Sequence, residues 1–516
     1  MQPTAGSAEV QVEPSVPQIV GPVDPSSAEP LYRQVRTVLL DAVERGVFHR
    51  ARPLPSSRFL AAQLGVSRNT VTLAYQELVA LGTLESRPRS GLYVSSEVRP
   101  RGEPVPPPGP STRPAARPAP AHRVEWAARV RRSEDDLAAL VEHPDWNSYP
   151  YPFVAGQPEL RQFPVRGWLR ALSDALSGPH LAASLGDASG GDDPLLVQAL
   201  CREVLPARGV RAEPDQVLIT NGSQQALFLL AEALLGPGRE VAVEDPGYLD
   251  AWHIFHRTGA RLRPVPVDGR GMLIDERDGH GGVAGSDVVY VTPSHQHPTN
   301  VTLSLPRRRR LLELARVRDM IVIEDDYDSE FRYRGRPTPS LKSLDTEGRV
   351  AYVGTFSKFL AAGLRVGFVV ADAELVRELR DRRRYSTKHL AGHVQRALGL
   401  FIASGEYHRV LRRHHRQLRV KWETLTGALG AQLPFPVDPP AGGLSIWLEG
   451  PPELDGARVV ELARLRGVLV EAGAHRYFGE GPRNNLRIGF SAIPQQVIEP
   501  GVARLALAVR EALAGS

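Results

Sequence analysis

Residues 354–367 read GTFSKFLAAGLRVG and hold Lys358, one of only four lysines among 63 basic residues. Lys358 follows the apolar run VAYVG (350–354), lies between the hydroxyls of Thr355 and Ser357, and has Arg365 seven residues on. Similar short runs rich in β-branched residues recur on both sides: QVLIT (216–220), EVAVE (240–244), DVVYVT (287–292), MIVIE (320–324) and VGFVV (366–370). Helical stretches separate several of them, which predicts a mostly parallel sheet covered by helices, a large α/β domain. LSIWLEG (444–450), GVLVEAG (467–473) and NLRIGFS (485–491) then suggest a smaller α+β lobe.

The residues able to do chemistry lie just past these runs. An amine at Lys358 could condense with an aldehyde cofactor. After QVLIT comes NGSQQALFLLAEALL (221–235), a turn entering a helix whose free N–H groups at Gly222, Ser223 and Gln224 suit a bound anion. Arg365 supplies positive charge, with the hydroxyls of Thr355 and Ser357 near in sequence. Asp325 follows MIVIE and could keep a pyridine nitrogen protonated, Tyr327 is close by, and Tyr248 in EDPGYLD offers a stacking face. Singly these signals are weak, since Asp-Asp-Tyr and Asn-Gly-Ser are more often plain turns. Their weight comes from joint occurrence in this order.

The chain of 516 residues is too long for one core, so at least two folded units are expected. Hydrophobic content of 42% and charged content of 23% are ordinary for a globular protein. No apolar run approaches the roughly 20 residues of a membrane span. The N-terminus lacks the pattern of a signal peptide. A lone cysteine, Cys201, cannot form an internal disulfide and reads as a small buried hydrophobe; a reducing cytoplasm is the expected location. No metal-binding pattern is evident. Residues 1–29 form a polar tail expected to be disordered, 30–95 a small domain, 96–125 a linker dense in Pro and Arg, and 126–516 the large unit.

The small domain centres on LPSSRFLAAQLGVSRNTV (54–71). Ser57 is placed to cap a helix with Leu60, Ala61 and Leu64 inward, and Gly65 to end it. Ser67 is placed to cap a second helix with Val71, Ala74, Tyr75 and Leu78 inward, presenting Arg68, Asn69, Thr70 and Thr72 from its first turns. LESRPRSGLYV (84–94) follows as two strands joined at Arg87–Gly91, a wing. Residues 31–100 contain ten arginines and five acids, a net +5 equal to the excess of the whole chain. That asymmetry points to double-stranded DNA as partner.

The stretch from Leu54 to Val71 resembles the winged helix of GntR-type regulators. By that resemblance Arg58, Ser67, Arg68, Asn69, Thr70, Arg87, Arg89 and Gly91 would contact operator DNA. FVAGQPELRQFP (153–164), NGSQQAL, VEDPGY (243–248), VTPSHQHPT (291–299), IVIEDDYDSEF (321–331), GTFSK with LRVG, and RNNLRIGFS (483–491) resemble class I/II aminotransferases of fold type I. The pairing of the two resembles the MocR/GabR-type transcriptional regulators. The resemblance implies pyridoxal 5'-phosphate held by Lys358 as a Schiff base, Asp325 on the ring nitrogen, Tyr327 on the ring hydroxyl and Tyr248 stacked on the ring. Ser223, Gln224, Thr355 and Arg365 would hold the phosphate, and Arg487 an effector carboxylate. It further implies a head-to-tail homodimer that answers to an amine, an amino acid or the cofactor itself. Leu185 replaces a tyrosine usual in that family, His297 its asparagine and Asn300 its glycine, while Asp250 stands where some members carry arginine. Those departures put efficient transamination in doubt, yet a working aminotransferase with an appended DNA-binding domain stays open, as does a domain that only dimerises.

Overall fold

A computed structural model describes residues 23–88, 90–98, 126–130, 137, 144–187, 191–275 and 282–515. The chain separates into two compact units, residues 1–126 and 127–516.

The first unit packs α1 (Leu31–Glu44), α2 (Ser57–Leu64) and α3 (Arg68–Ala80) against β1 (Leu84–Arg87) and β2 (Gly91–Val94). Val35, Leu39, Leu60, Val71, Ala74, Leu78, Leu84 and Val94 are its core. The cap of α2 is Ser56, not Ser57. Ser56 has the extended backbone a cap requires, and its Oγ accepts from Phe59 N at 3.2 Å. Ser57 is instead the first helical residue. Gly65 closes α2 in the left-handed region at φ 66°, and Ser67 caps α3 by accepting from Thr70 N at 3.1 Å. The wing strands pair antiparallel with Arg87 opposite Gly91.

The second unit begins with β3 (Tyr151–Pro152). Its main sheet contains β4 (Val217–Thr220), β5 (Glu240–Asp245), β6 (Arg261–Asp268), β7 (Gly271–Met272), β8 (Val288–Val291), β9 (Ile321–Asp326), β10 (Val350–Thr355) and β11 (Gly367–Val370). The strand order is β4-β11-β10-β9-β8-β5-β6-β7. Neighbours from β10 to β6 are parallel, and β11 runs antiparallel to both β10 and β4. The carboxyl ends of β4, β5, β8, β9 and β10 therefore share one edge, where ligands of open α/β sheets bind. β6 goes unseen in the sequence because Pro264 and Pro266 interrupt it. Both lack an N–H on the same side of the strand, away from β5, where the two-residue β7 covers only the far end.

The smaller lobe holds β12 (Ser445–Glu449), β13 (Val468–Leu469), β14 (Glu471–Ala472) and β15 (Asn485–Gly489), with sheet order β12-β15-β14. β13 pairs with β3, and the helix Glu406–Gln432 leads from the large lobe into the small one.

Candidate cofactor cavity and nucleic-acid interface

A cavity of about 420 Å³ opens where the strand ends meet the small lobe, and Ser223, Tyr248, Asp325, Tyr327, Lys358 and Arg487 line it. Lys358 is carried by the loop after β10, pinned by the buried rings of Phe356 and Phe359 on either side of it. Its Nζ donates to Gly156 O at 3.3 Å. Gly156 sits at φ 76°, and a Cβ there would stand 2.8 Å from Nζ, so the amine's space depends on a missing side chain. Burial lowers the Lys358 pKa from its ordinary value; Arg487 adds to this while Asp328 and Asp325 oppose it. A lowered pKa makes the amine easier to deprotonate, as a nucleophile requires.

Asp325 is the last residue but one of β9 and lines the cavity with Lys358. Tyr290, two residues offset on β8, donates its hydroxyl to Asp325 Oδ2 at 2.9 Å. Asp325 Oδ1 is buried without a partner. Burial, opposed by the Tyr290 bond, pushes its carboxyl up to about 7. A buried acceptor left open in this way suits an incoming N–H or N⁺–H. Tyr327 donates to His295 O at 2.9 Å, and His295 pairs with buried Asp328 at 2.8 Å. The Tyr248 and His297 rings meet edge to face with centroids 5.0 Å apart, while the Tyr248 hydroxyl donates to Asp250 Oδ2 at 2.8 Å. Burial lowers the His297 pKa far below its ordinary value, with Arg487 and Arg476 adding to the effect, so the ring is neutral.

Gly222, Gln224, Thr355, Ser357 and Arg365 do not line the cavity itself. At the start of the helix Gly222–Leu234 the Asn221 side chain makes no cap, and Arg365 Nη2 donates to Asn221 O at 3.3 Å. A Cβ on Gly222 would stand 3.0 Å from that guanidinium nitrogen, and one on Gly367 would meet Gly222 C at 2.7 Å. Two glycines thus let a cation rest against a helix N-terminus, a ready anion site. Thr355 Oγ1 accepts from Ser357 N at 3.1 Å, leaving Ser357 Oγ buried and unpartnered. Gln224 is exposed and donates to Asp250 Oδ2 at 2.6 Å.

At the opposite end Arg487 projects from β15. Its Nη1 lies 3.7 Å from Glu471 Oε2, which also takes Arg476 Nη2 at 3.1 Å. Arg476, Glu471 and Gly156 went unnoticed in the sequence; AGAHRYF carries no spacing signal, and only the fold brings it to the cavity. Leu185 is exposed and does not line the cavity. Among the described residues no group of His, Cys, Asp and Glu could hold a metal ion.

In the first unit Ser67, Arg68 and Asn69 are exposed at the start of α3, with Thr70 half-buried behind them. Among the described residues neither Arg58 nor Arg68 is paired with an acid; Arg68 Nε donates to Ser57 Oγ at 3.4 Å. Arg87 lies over the Tyr93 ring at 4.2 Å and donates to Glu85. Gly91 turns the wing at φ 106°. Arg89 lies outside the described residues.

Residues 31–94 match the gntR family of bacterial regulatory proteins, and residues 151–505 match aminotransferase class I and II. The HTH-type transcriptional regulator TauR of Rhodobacter capsulatus is 36% identical across 94% of this chain and 98% of its own. The probable rhizopine catabolism regulatory protein MocR of Rhizobium meliloti is 31% identical across 94% of each. This chain belongs to the MocR-type branch of the GntR regulators. The larger unit of the regulator is also similar to Pyrococcus horikoshii kynurenine aminotransferase, with TM-score 0.64 and 28% identity over 75% of this chain and 96% of that one. Aminotransferases of this fold use pyridoxal phosphate. The regulator's cavity fits that group: a buried amine lines it together with a carboxylate that has one oxygen open, and a helix N-terminus with Arg365 against it flanks the site. No helix in the described residues is long and apolar enough to cross a membrane.

Proposed function

We propose that this regulator binds pyridoxal 5'-phosphate and changes its hold on DNA when an amine, an amino acid or the cofactor itself occupies the cavity. The observation that carries the reading is the open Asp325 carboxylate oxygen beside the buried Lys358 amine, in a chain that also bears a winged helix. Lys358 would hold the cofactor covalently, Asp325 its ring nitrogen, Tyr327 its ring hydroxyl and Tyr248 its face. Gly222, Ser223, Gln224, Thr355, Ser357 and Arg365 would hold its phosphate. When bound, the cofactor supplies an electron-poor carbon that exchanges reversibly with primary amines. Arg487 would select a carboxylate on the incoming amine by its planar fork.

Arg68, Asn69 and Thr70 would read base edges in the major groove, while Arg58, Ser67, Arg87, Arg89 and Gly91 contact phosphates. A ligand acts on DNA affinity only by preferring one of two conformations. Two copies arranged head to tail in the cytoplasm would place two winged helices on repeated half-sites. Footprinting of the full chain on DNA upstream of its own gene, with and without pyridoxal phosphate, tests this. A protected site whose occupancy changes with cofactor or amine is expected; no protection under any condition would overturn it. The presence of both Lys358 and Asp325 in the cavity favours one second reading, a working aminotransferase. Steady production of keto acid over many turnovers would establish that reading.

A further inference from the structure

Asn300 ends the turn in which this chain departs from the aminotransferase wording. It holds the left-handed region at φ 59° and replaces a glycine there, so the residue brings a side chain to a backbone shape that glycine adopts freely. That side chain crosses to the small lobe. Asn300 Nδ2 donates to Ser445 O at 2.6 Å and to Ser445 Oγ at 2.9 Å. The same Oγ accepts from Arg487 Nε at 3.3 Å. Asn300, Ser445 and Arg487 are 2%, 1% and 9% exposed, so these bonds form away from water. The loop facing the amide is shaped around it: Gly443 has φ 90°, and a Cβ there would stand 2.6 Å from Asn300 Oδ1.

The bridge matters because Arg487 has a competitor for its charge. Glu471 Oε2 already forms a long ion pair with Arg487 Nη1 at 3.7 Å, and a guanidinium free to swing would close on that carboxylate and turn from the cavity. Anchoring Nε to Ser445 holds that ion pair long and keeps the fork turned to the cavity that Arg487 lines. Glu471 meanwhile takes Arg476 at 3.1 Å. We infer that Asn300 is a positioning residue that fixes the Arg487 fork through the Ser445 hydroxyl, and thereby makes the cavity prefer amines bearing a carboxylate over amines without one. This rests on the cofactor reading given above.

The test uses the full chain loaded with pyridoxal phosphate, comparing wild type with Asn300→Gly and Ser445→Ala. Glycine accepts φ 59° without strain, so the first variant deletes the bridge and spares the backbone. Each protein is titrated with β-alanine and γ-aminobutyrate, and with ethylamine and propylamine, the same skeletons lacking the carboxylate. The visible band of the bound cofactor reports binding. For whichever amino acid the wild type binds more tightly, affinity falls about tenfold in each variant, while affinity for its matching amine changes less than about twofold. The double variant falls no further than the singles, because both act through one hydroxyl. Undiminished amino-acid affinity in both variants would overturn the inference, as would an equal loss for the amine or a wild type that does not prefer the amino acid. A wild type that never shows the band overturns the cofactor reading, and this inference with it.

Discussion

Arg58, Arg68 and Arg87 of the winged helix are exposed, whereas Arg476 and Arg487 of the cavity are 5% and 9% exposed. The same side chain serves two purposes, and the surroundings decide which. In the winged helix water screens each charge, so affinity for a polyanion must come from many weak contacts summed over a surface. In the cavity each guanidinium is held by named partners, Glu471 for Arg476 and Ser445 for Arg487, so orientation rather than number sets what is bound. Asp325 Oδ1 in the cavity is a buried polar atom left open; among the described residues of the winged helix there is none.

The largest consequence falls on the exposed side. DNA affinity should drop about a thousandfold between roughly 50 and 200 mM salt if a dimer engages six or more phosphates. Fluorescence anisotropy across a salt series measures this, and a flat line would deny the winged helix its partner. Arg68→Ala should cost about 10- to 100-fold in specific binding and leave cofactor loading intact. A footprint of unchanged affinity would move recognition away from α3.

On the buried side pH is the lever. Burial raises Asp325 from 3.8 to about 7, Glu324 from 4.5 to about 7 and Glu244 from 4.5 to about 8. For each, the folded state holds its proton more tightly than the unfolded state does. The stability that these three carboxyls contribute to the cofactor-free chain therefore falls as pH rises from about 4 to 8, and the penalty from Asp325 is complete above about 7. Asp325→Asn should remove a part of this of the order of a few kcal/mol, narrowing the gap between melting midpoints at acid and neutral pH. An unchanged gap would mean that Asp325 titrates normally. The smallest effect expected is at the cap of α2: Ser56→Ala should cost about 1 kcal/mol and speed hydrogen exchange at Phe59, and Ser57→Ala much less. The reverse order would restore Ser57 as the cap.

The same contrast governs what was legible in the sequence. The winged helix is local: its caps, inward positions and exposed arginines lie within 64 residues of one another, so periodicity and turn chemistry reveal them. The cap of α2 slipped by one residue, because Ser56 and Ser57 offer the same hydroxyl and the backbone alone chooses between them. The main sheet was readable in its buried strands, while β6 hid behind two prolines. Lys358, Asp325 and Tyr248 were visible because each lies at or just past the carboxyl end of a strand fixed by topology. Arg476, Glu471, Gly156 and Tyr290 were not, since they reach the cavity from the small lobe, from the segment after β3, or from inside a strand that reads as core. Asn300 was visible only as a departure; its bridge to Ser445 spans 145 residues.

The most direct measurement is the visible spectrum of the purified full chain incubated with pyridoxal phosphate and passed through gel filtration, beside Lys358→Ala treated alike. A band that survives in the wild type and is missing from the variant is the expected result, and marks Lys358 as the covalent seat of the cofactor. No band in either protein, or an equal band in both, would contradict it, and the cavity would then have to be explained without pyridoxal phosphate on Lys358.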